Sequence, residues 1–131
     1  MNTSRYVMDS HAILAFIQEE PGHDYVENLL RKAANGHLEL HISVINLAEV
    51  QYKIIRRDED PTTELTAIEA FPLTVAPADP HIPQVVQLKA RYPISLADCF
   101  AVALAQDLDC PVVTGDPEFR KLEGVVAVQW L

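Results

Sequence analysis

Short runs with strand character alternate with helical-period stretches along the whole chain, and this alternation constrains the fold more than any other feature. Strand patterns cover Arg5–Met8, Leu38–Ile42, Leu73–Ala76, Cys110–Thr114 and Val125–Trp130. Between them lie helical patterns. One opens at Asp9-Ser10 and carries Ala12, Ile13, Ala15, Phe16 and Ile17 to a break at Pro21-Gly22. Others cover 24–35, Ser43 to about Arg57, 63–71, 81–92 and Ser95–Leu108. In the last, Leu96, Phe100, Leu104 and Leu108 recur every fourth residue, which predicts one apolar stripe. Strands joined through helices run parallel, with right-handed crossovers. The expectation is a single-domain α/β/α sandwich with a mostly parallel central sheet, formed by residues 1–131 as one unit. Such sheets bind ligands at the carboxyl ends of their strands.

Charge narrows the function. Lys and Arg number 10 against 19 Asp and Glu, a net charge of −9. A protein that holds nucleic acid by blanket neutralisation of phosphates is basic, so that mode is excluded. Nucleic-acid chemistry mediated by a divalent cation is not, and the negative balance points to a basic partner. No apolar run approaches the ~20 residues that span a bilayer. The opening Met1-Asn2-Thr3-Ser4-Arg5 lacks a secretory apolar region. A cytoplasmic protein is expected. Cys99 and Cys110 would sit on the order of 16 Å apart, too far for a disulfide.

Four acids recur at element junctions. Asp9 follows the first strand, where a helix cap explains it. Asp116 follows the fourth, with Pro117 at a favoured first helical position. Ser95-x-x-Asp98 is nearly a capping box. Glu49 lies four before Lys53 on the helix after strand two, and an ion pair on a solvated face shared with Asn46 and Arg56 explains it. Independent capping accounts for each acid but not for all four together. In a parallel sheet these elements open onto one face. Carboxylates gathered there repel each other unless cations bind, and hard ions such as Mg²⁺ and Mn²⁺ prefer carboxylate oxygens.

Asp9-Ser10, Glu49, Ser95-x-x-Asp98 and Thr114-Gly-Asp116-Pro-Glu-Phe, in this order over nearly the whole chain, resemble the PIN domain family, specifically the VapC-type toxins. The resemblance implies a PIN-like fold and a Mg²⁺- or Mn²⁺-dependent endoribonuclease that cuts single-stranded regions of RNA. It implies that Asp9, Glu49, Asp98 and Asp116 form the catalytic metal site, with Ser10 and Thr114 as supporting hydroxyls and Glu118 as a further acid. It also implies a homodimer and a cognate antitoxin whose basic or aromatic tail blocks the acidic groove. In two-ion chemistry one cation activates a water and a second, ~3.5–4 Å away, stabilises the leaving oxygen. Glu49 is suited to hold the second ion through water or to orient the nucleophile.

Other features rank lower. Lys53, Arg56 and Arg57 form the best basic cluster and are candidate RNA contacts. His37 and His41 lie on or beside a strand, too far apart for a zinc pair. His11 follows the Asp9 motif and is a candidate to reach substrate, but reads first as a helix-surface histidine, and Trp130 as core or dimer contact. A phospho-accepting receiver domain would need a lysine near the end of the last strand, and Val125–Trp130 has none. A PIN-like scaffold that binds RNA or protein without cutting is the remaining alternative.

Overall fold

Every strand alternates side chains between two faces, and here both faces are covered. The computed structural model describes residues 3–131. Met1 and Asn2 lie outside the described residues. The strands are β1 (Ser4–Met8), β2 (Leu38–Ser43), β3 (Leu73–Ala76), β4 (Val112–Thr114) and β5 (Val128–Trp130). The helices are α1 (Ser10–Ile17), α2 (His23–Ala34), α3 (Val44–Arg57), α4 (Thr62–Glu69), α5 (Ile82–Arg91) and α6 (Leu96–Leu108). The sheet order is β3-β2-β1-β4-β5. All neighbouring pairs are parallel, so the expected mostly parallel sheet is wholly so among the described residues.

Adjacent residues feed opposite cores. Val7 and Val112 pack with α5, α6 and the 3-10 turn Pro117–Leu122, through Val85, Leu88, Phe100, Leu104, Phe119 and Leu122. Met8 and Val113 pack on the other side with α1, α2, α3 and α4, through Ile13, Val26, Val50, Ile54 and Ile68. A parallel sheet buried on both faces needs this near-continuous apolar sequence.

Two expectations need correction. The end strands are shorter than their sequence runs. Pro111 has no N–H for the ladder, and Gly124, at φ +84°, turns the chain before β5. The four-residue stripe of α6 also fails at its start, because Leu96 is 53% exposed. Asp98 to Ala105 is instead buried without interruption. The helix is covered by α3, α5 and the sheet together. Burial therefore follows position along it, and the small residues Ala101, Ala103 and Ala105 permit the close approach. Cys99 and Cys110 are free. Among the described residues no helix is long and apolar enough to cross a membrane.

Candidate functional site

From β1 the chain builds outward to β2 and β3, then returns to build β4 and β5 on the other side. The sheet order therefore reverses between β1 and β4, and a crevice opens at their carboxyl ends. Asp9 and Asp116 sit there. Asp9 is extended (φ −87°, ψ 177°), and its Oδ1 accepts the Ala12 N–H at 2.8 Å, capping α1. The Asp116 N–H donates to Thr114 Oγ1 at 3.0 Å. The Asp116 Oδ1 accepts the Glu118 N–H at 2.9 Å and so caps the 3-10 turn. Ser95 caps α6, accepting the Asp98 N–H at 3.1 Å. The reciprocal half of a capping box, a bond from the Ser95 N–H to the Asp98 carboxylate, is not made among the described residues. On α3, Glu49 accepts the Ser10 hydroxyl and lies 3.7 Å from Lys53 Nζ.

The local capping roles are real, but they do not explain how these groups stand toward one another. A cleft of about 500 Å³ is lined by Ser10, His11, Glu49, Lys53, Ser95, Asp98, Asp116 and Glu118, among others. Asp9 is not among the lining residues; it is only 1% exposed and is buried near Asp98 and Asp116, whose charges act on it. Burial pushes the Asp9 carboxyl up to about 7, against the pull of hydrogen bonds from Thr114 and Ala12, and the charges of Asp98 and Asp116 push it further. Burial likewise raises Asp98 to about 6, reinforced first by Asp116 and then by Glu49 and Glu118, while the Ser95 hydroxyl opposes. Carboxyls that raise one another in this way are close enough to compete for a single positive charge.

Asp9, Ser10, Glu49, Asp98, Asp116 and Glu118 are thus brought together, with Thr114 behind Asp9. Lys53 lines the cleft. Arg56 does not, lying over the Tyr52 ring at 5.9 Å. Arg57 faces a separate hollow with Asp58 and Glu64. His41 is 3.0 Å from Glu39 on the same strand, and His37 is exposed at its start. Trp130 is 37% exposed beneath Arg120, whose guanidinium lies 6.0 Å from the ring. A larger hollow of about 680 Å³ opens at the opposite, amino ends of β1 and β4. It gathers no group of acids, and its principal pair is Arg5–Glu39 at 3.3 Å.

Two residues escaped the sequence reading. Asn46 is not on a solvated face. It is fully buried, and its Nδ2 donates to the Ala97 carbonyl at 3.0 Å because α6 packs over that side of α3. His11, read first as a helix-surface residue, is half-buried and lines the cleft. The available signal was adjacency: His11 follows Asp9-Ser10, and its partner Gly115 precedes Asp116.

The donors are oxygens of carboxylates and hydroxyls, the set that Mg²⁺ and Mn²⁺ prefer. Among the described residues no three or more His, Cys, Asp or Glu side chains are gathered tightly enough to grip one ion by themselves. This suits a small cation that keeps several waters and is held by one or two carboxylates. It does not suit an all-protein cage.

The PIN domain family model matches residues 6–125. No curated protein sequence is similar enough to be matched. Among solved structures, VapBC2 from Rickettsia felis, bound to a promoter DNA fragment, is similar with a TM-score of 0.72 and 19% identity, covering 96% of this chain and 98% of that one. DNA-bound VapBC from Salmonella typhimurium gives 0.71 and 21%, with 98% of each chain covered. VapC20 of Mycobacterium tuberculosis, a sarcin-ricin loop cleaving toxin, gives 0.67 and 16%, covering 88% of this chain and 92% of that one. At these identities the likeness establishes a shared fold.

Proposed function

The chain belongs to the PIN domain family, and from that premise we propose that it is a Mg²⁺- or Mn²⁺-dependent endoribonuclease cutting single-stranded regions of RNA. In this reading residues 1–131 act as one domain, in the cytoplasm, as the toxin half of a toxin–antitoxin pair. One observation carries the proposal. Acids from α3, the α6 N-terminus and the β4 turn share one cleft at the switch point, with Asp9 of the β1–α1 junction buried beside Asp98 and Asp116, and burial and mutual charge raise Asp9 and Asp98.

In this site Asp98 and Asp116 would hold the cation, with the buried Asp9 close enough for its charge to act with theirs. A bound divalent ion lowers the pKa of a water and neutralises charge on the phosphodiester. Glu49 is placed to orient the attacking water, and the Ser10 hydroxyl fixes one of its oxygens. Thr114 holds both Asp9 and the Asp116 backbone, setting the distance between the two strand ends. Glu118 adds negative charge at the rim, where Lys121 offsets it at 3.1 Å. Lys53 is the cation best placed to meet a phosphate at the cleft, while Arg56 and Arg57 are left to longer RNA. A cleft this acidic repels RNA unless a cation is present, which ties substrate binding to metal.

The partners follow the same reading. The similar structures include VapBC complexes, which supports a cognate antitoxin; the acidic cleft favours a basic segment of it there, and the toxin is proposed to act as a homodimer. The test is cleavage of a single-stranded oligoribonucleotide with Mg²⁺, with Mn²⁺ and with chelator. Cleavage only with metal supports the proposal. A pure, folded protein that binds RNA and never cuts it would favour the scaffold reading.

A further inference from the structure

The β1–β4 ladder ends just before the acids begin. Its last register pair is Met8 with Val113, and the next contact, Asp9 N–H to the Val113 carbonyl, is stretched to 3.4 Å. On its other side β4 is still tied to β5, through Leu131 N–H to the Thr114 carbonyl at 3.0 Å. Toward β1 the turn that carries Asp116 has left the sheet.

Besides Thr114, a second side chain spans this gap. The Gly115 N–H donates to Nδ1 of His11 at 3.3 Å, linking positions 104 apart in sequence. The contact is shaped as well as bonded. A Cβ on Gly115 would lie 2.6 Å from His11 Cε1 and 3.2 Å from Nδ1. Gly115 is not among the residues with positive φ, so its backbone does not require glycine. The space taken by the ring does. A larger residue at 115 would drive the imidazole away and break the bond.

We propose that His11 is a positioning residue. It latches the β4 turn to α1 and so sets the separation of Asp116 from Asp9 and Asp98. The inference rests on the reading of Asp116 as a cation ligand. Partners that orient ligands typically contribute 10–100-fold to metal affinity, so loss of the latch should weaken Mn²⁺ binding about tenfold.

The test uses calorimetric Mn²⁺ titration and amide hydrogen exchange on the full chain. His11→Ala should weaken Mn²⁺ binding about tenfold and speed exchange at Gly115 and Asp116 while the rest of the sheet stays protected. His11→Asn, whose Oδ1 can replace the Nδ1 acceptor, should restore most of both. Gly115→Ala should resemble His11→Ala, and combining the two should add little, because both break one contact. A His11→Ala protein with wild-type Mn²⁺ affinity overturns the proposal. So does a folded His11→Asn protein as weak as the alanine variant. If the wild type takes up no Mn²⁺, the metal reading has failed, and exchange alone decides the latch. Local loss in His11→Ala with recovery in His11→Asn supports it, and unchanged exchange at Gly115 rejects it.

Discussion

Asp9 caps α1 and at the same time adds charge to a buried acidic cluster, and the two roles make opposite demands on its proton. Its carboxyl stands at about 7 in the fold against 3.8 as a free side chain. A carboxyl whose folded value is raised binds its proton more tightly in the folded state. The stabilisation is fully present below pH ~3.8 and is lost as pH rises through ~7. Asp98, raised to about 6, acts in the same direction. The metal-free protein should therefore melt at progressively lower temperature from pH 5 to pH 8, with a change on the order of a few kcal/mol. Asp9→Asn keeps a good helix cap without the charge, so it should flatten much of that slope. Melting curves across this pH range with chelator check both statements, and a flat wild-type profile would contradict them. The proposed catalysis is tested at Asp98 and Asp116. Asp98→Asn and Asp116→Asn should each abolish Mg²⁺-dependent RNA cleavage while circular dichroism stays native. Wild-type cleavage by either variant, free of contaminating nuclease, removes that residue from the site.

At the scale of elements, α3 and α6 must be locked together for Glu49 and Asp98 to face each other. Asn46 supplies the lock through the Ala97 carbonyl, one residue before Asp98. Asn46→Ala should cost ~0.5–1.5 kcal/mol, because it removes a hydrogen bond that joins the two helices. Denaturant unfolding measures it, and a loss within ~0.5 kcal/mol would show that the clamp carries little. This residue also marks where sequence reasoning stops. Strand and helix patterns were legible because their periods of 2 and 3.6 are written in consecutive residues. The acids were legible as caps because capping is local. Asn46 was assigned to solvent because α3 alone shows it on a polar face, and only the docking of α6, 51 positions away, buries it. His11 was misread for the same reason, since its partner is 104 positions distant. Leu96 fits its helix's stripe but not its burial, because helical period does not say how far the covering elements extend.

For the whole molecule the governing quantity is the net charge of −9, part of it concentrated in the cleft. A basic antitoxin segment attracted to that field should bind less tightly as salt rises. Titration at two ionic strengths reads this, and salt-independent affinity would point to an apolar interface instead. The same field separates a metal site from a set of ordinary helix-end acids. If the acids share a cation, Mg²⁺ binds the folded state and not the unfolded chain. At ~10 times its dissociation constant it should add roughly 1.4 kcal/mol. For a domain of this size that is a rise in melting temperature of about 3–6 °C. Asp98→Ala should blunt the response and also raise the metal-free melting temperature, because one of the repelling charges is gone. If Asp98 acts only through the dipole of α6, its removal should instead cost ~0.3–1 kcal/mol with or without metal. Four melting curves decide the matter: wild type and Asp98→Ala, each with chelator and with Mg²⁺. A wild type indifferent to saturating Mg²⁺ and Mn²⁺, beside a variant weakened equally in both conditions, would leave these acids as helix caps that happen to share a cleft.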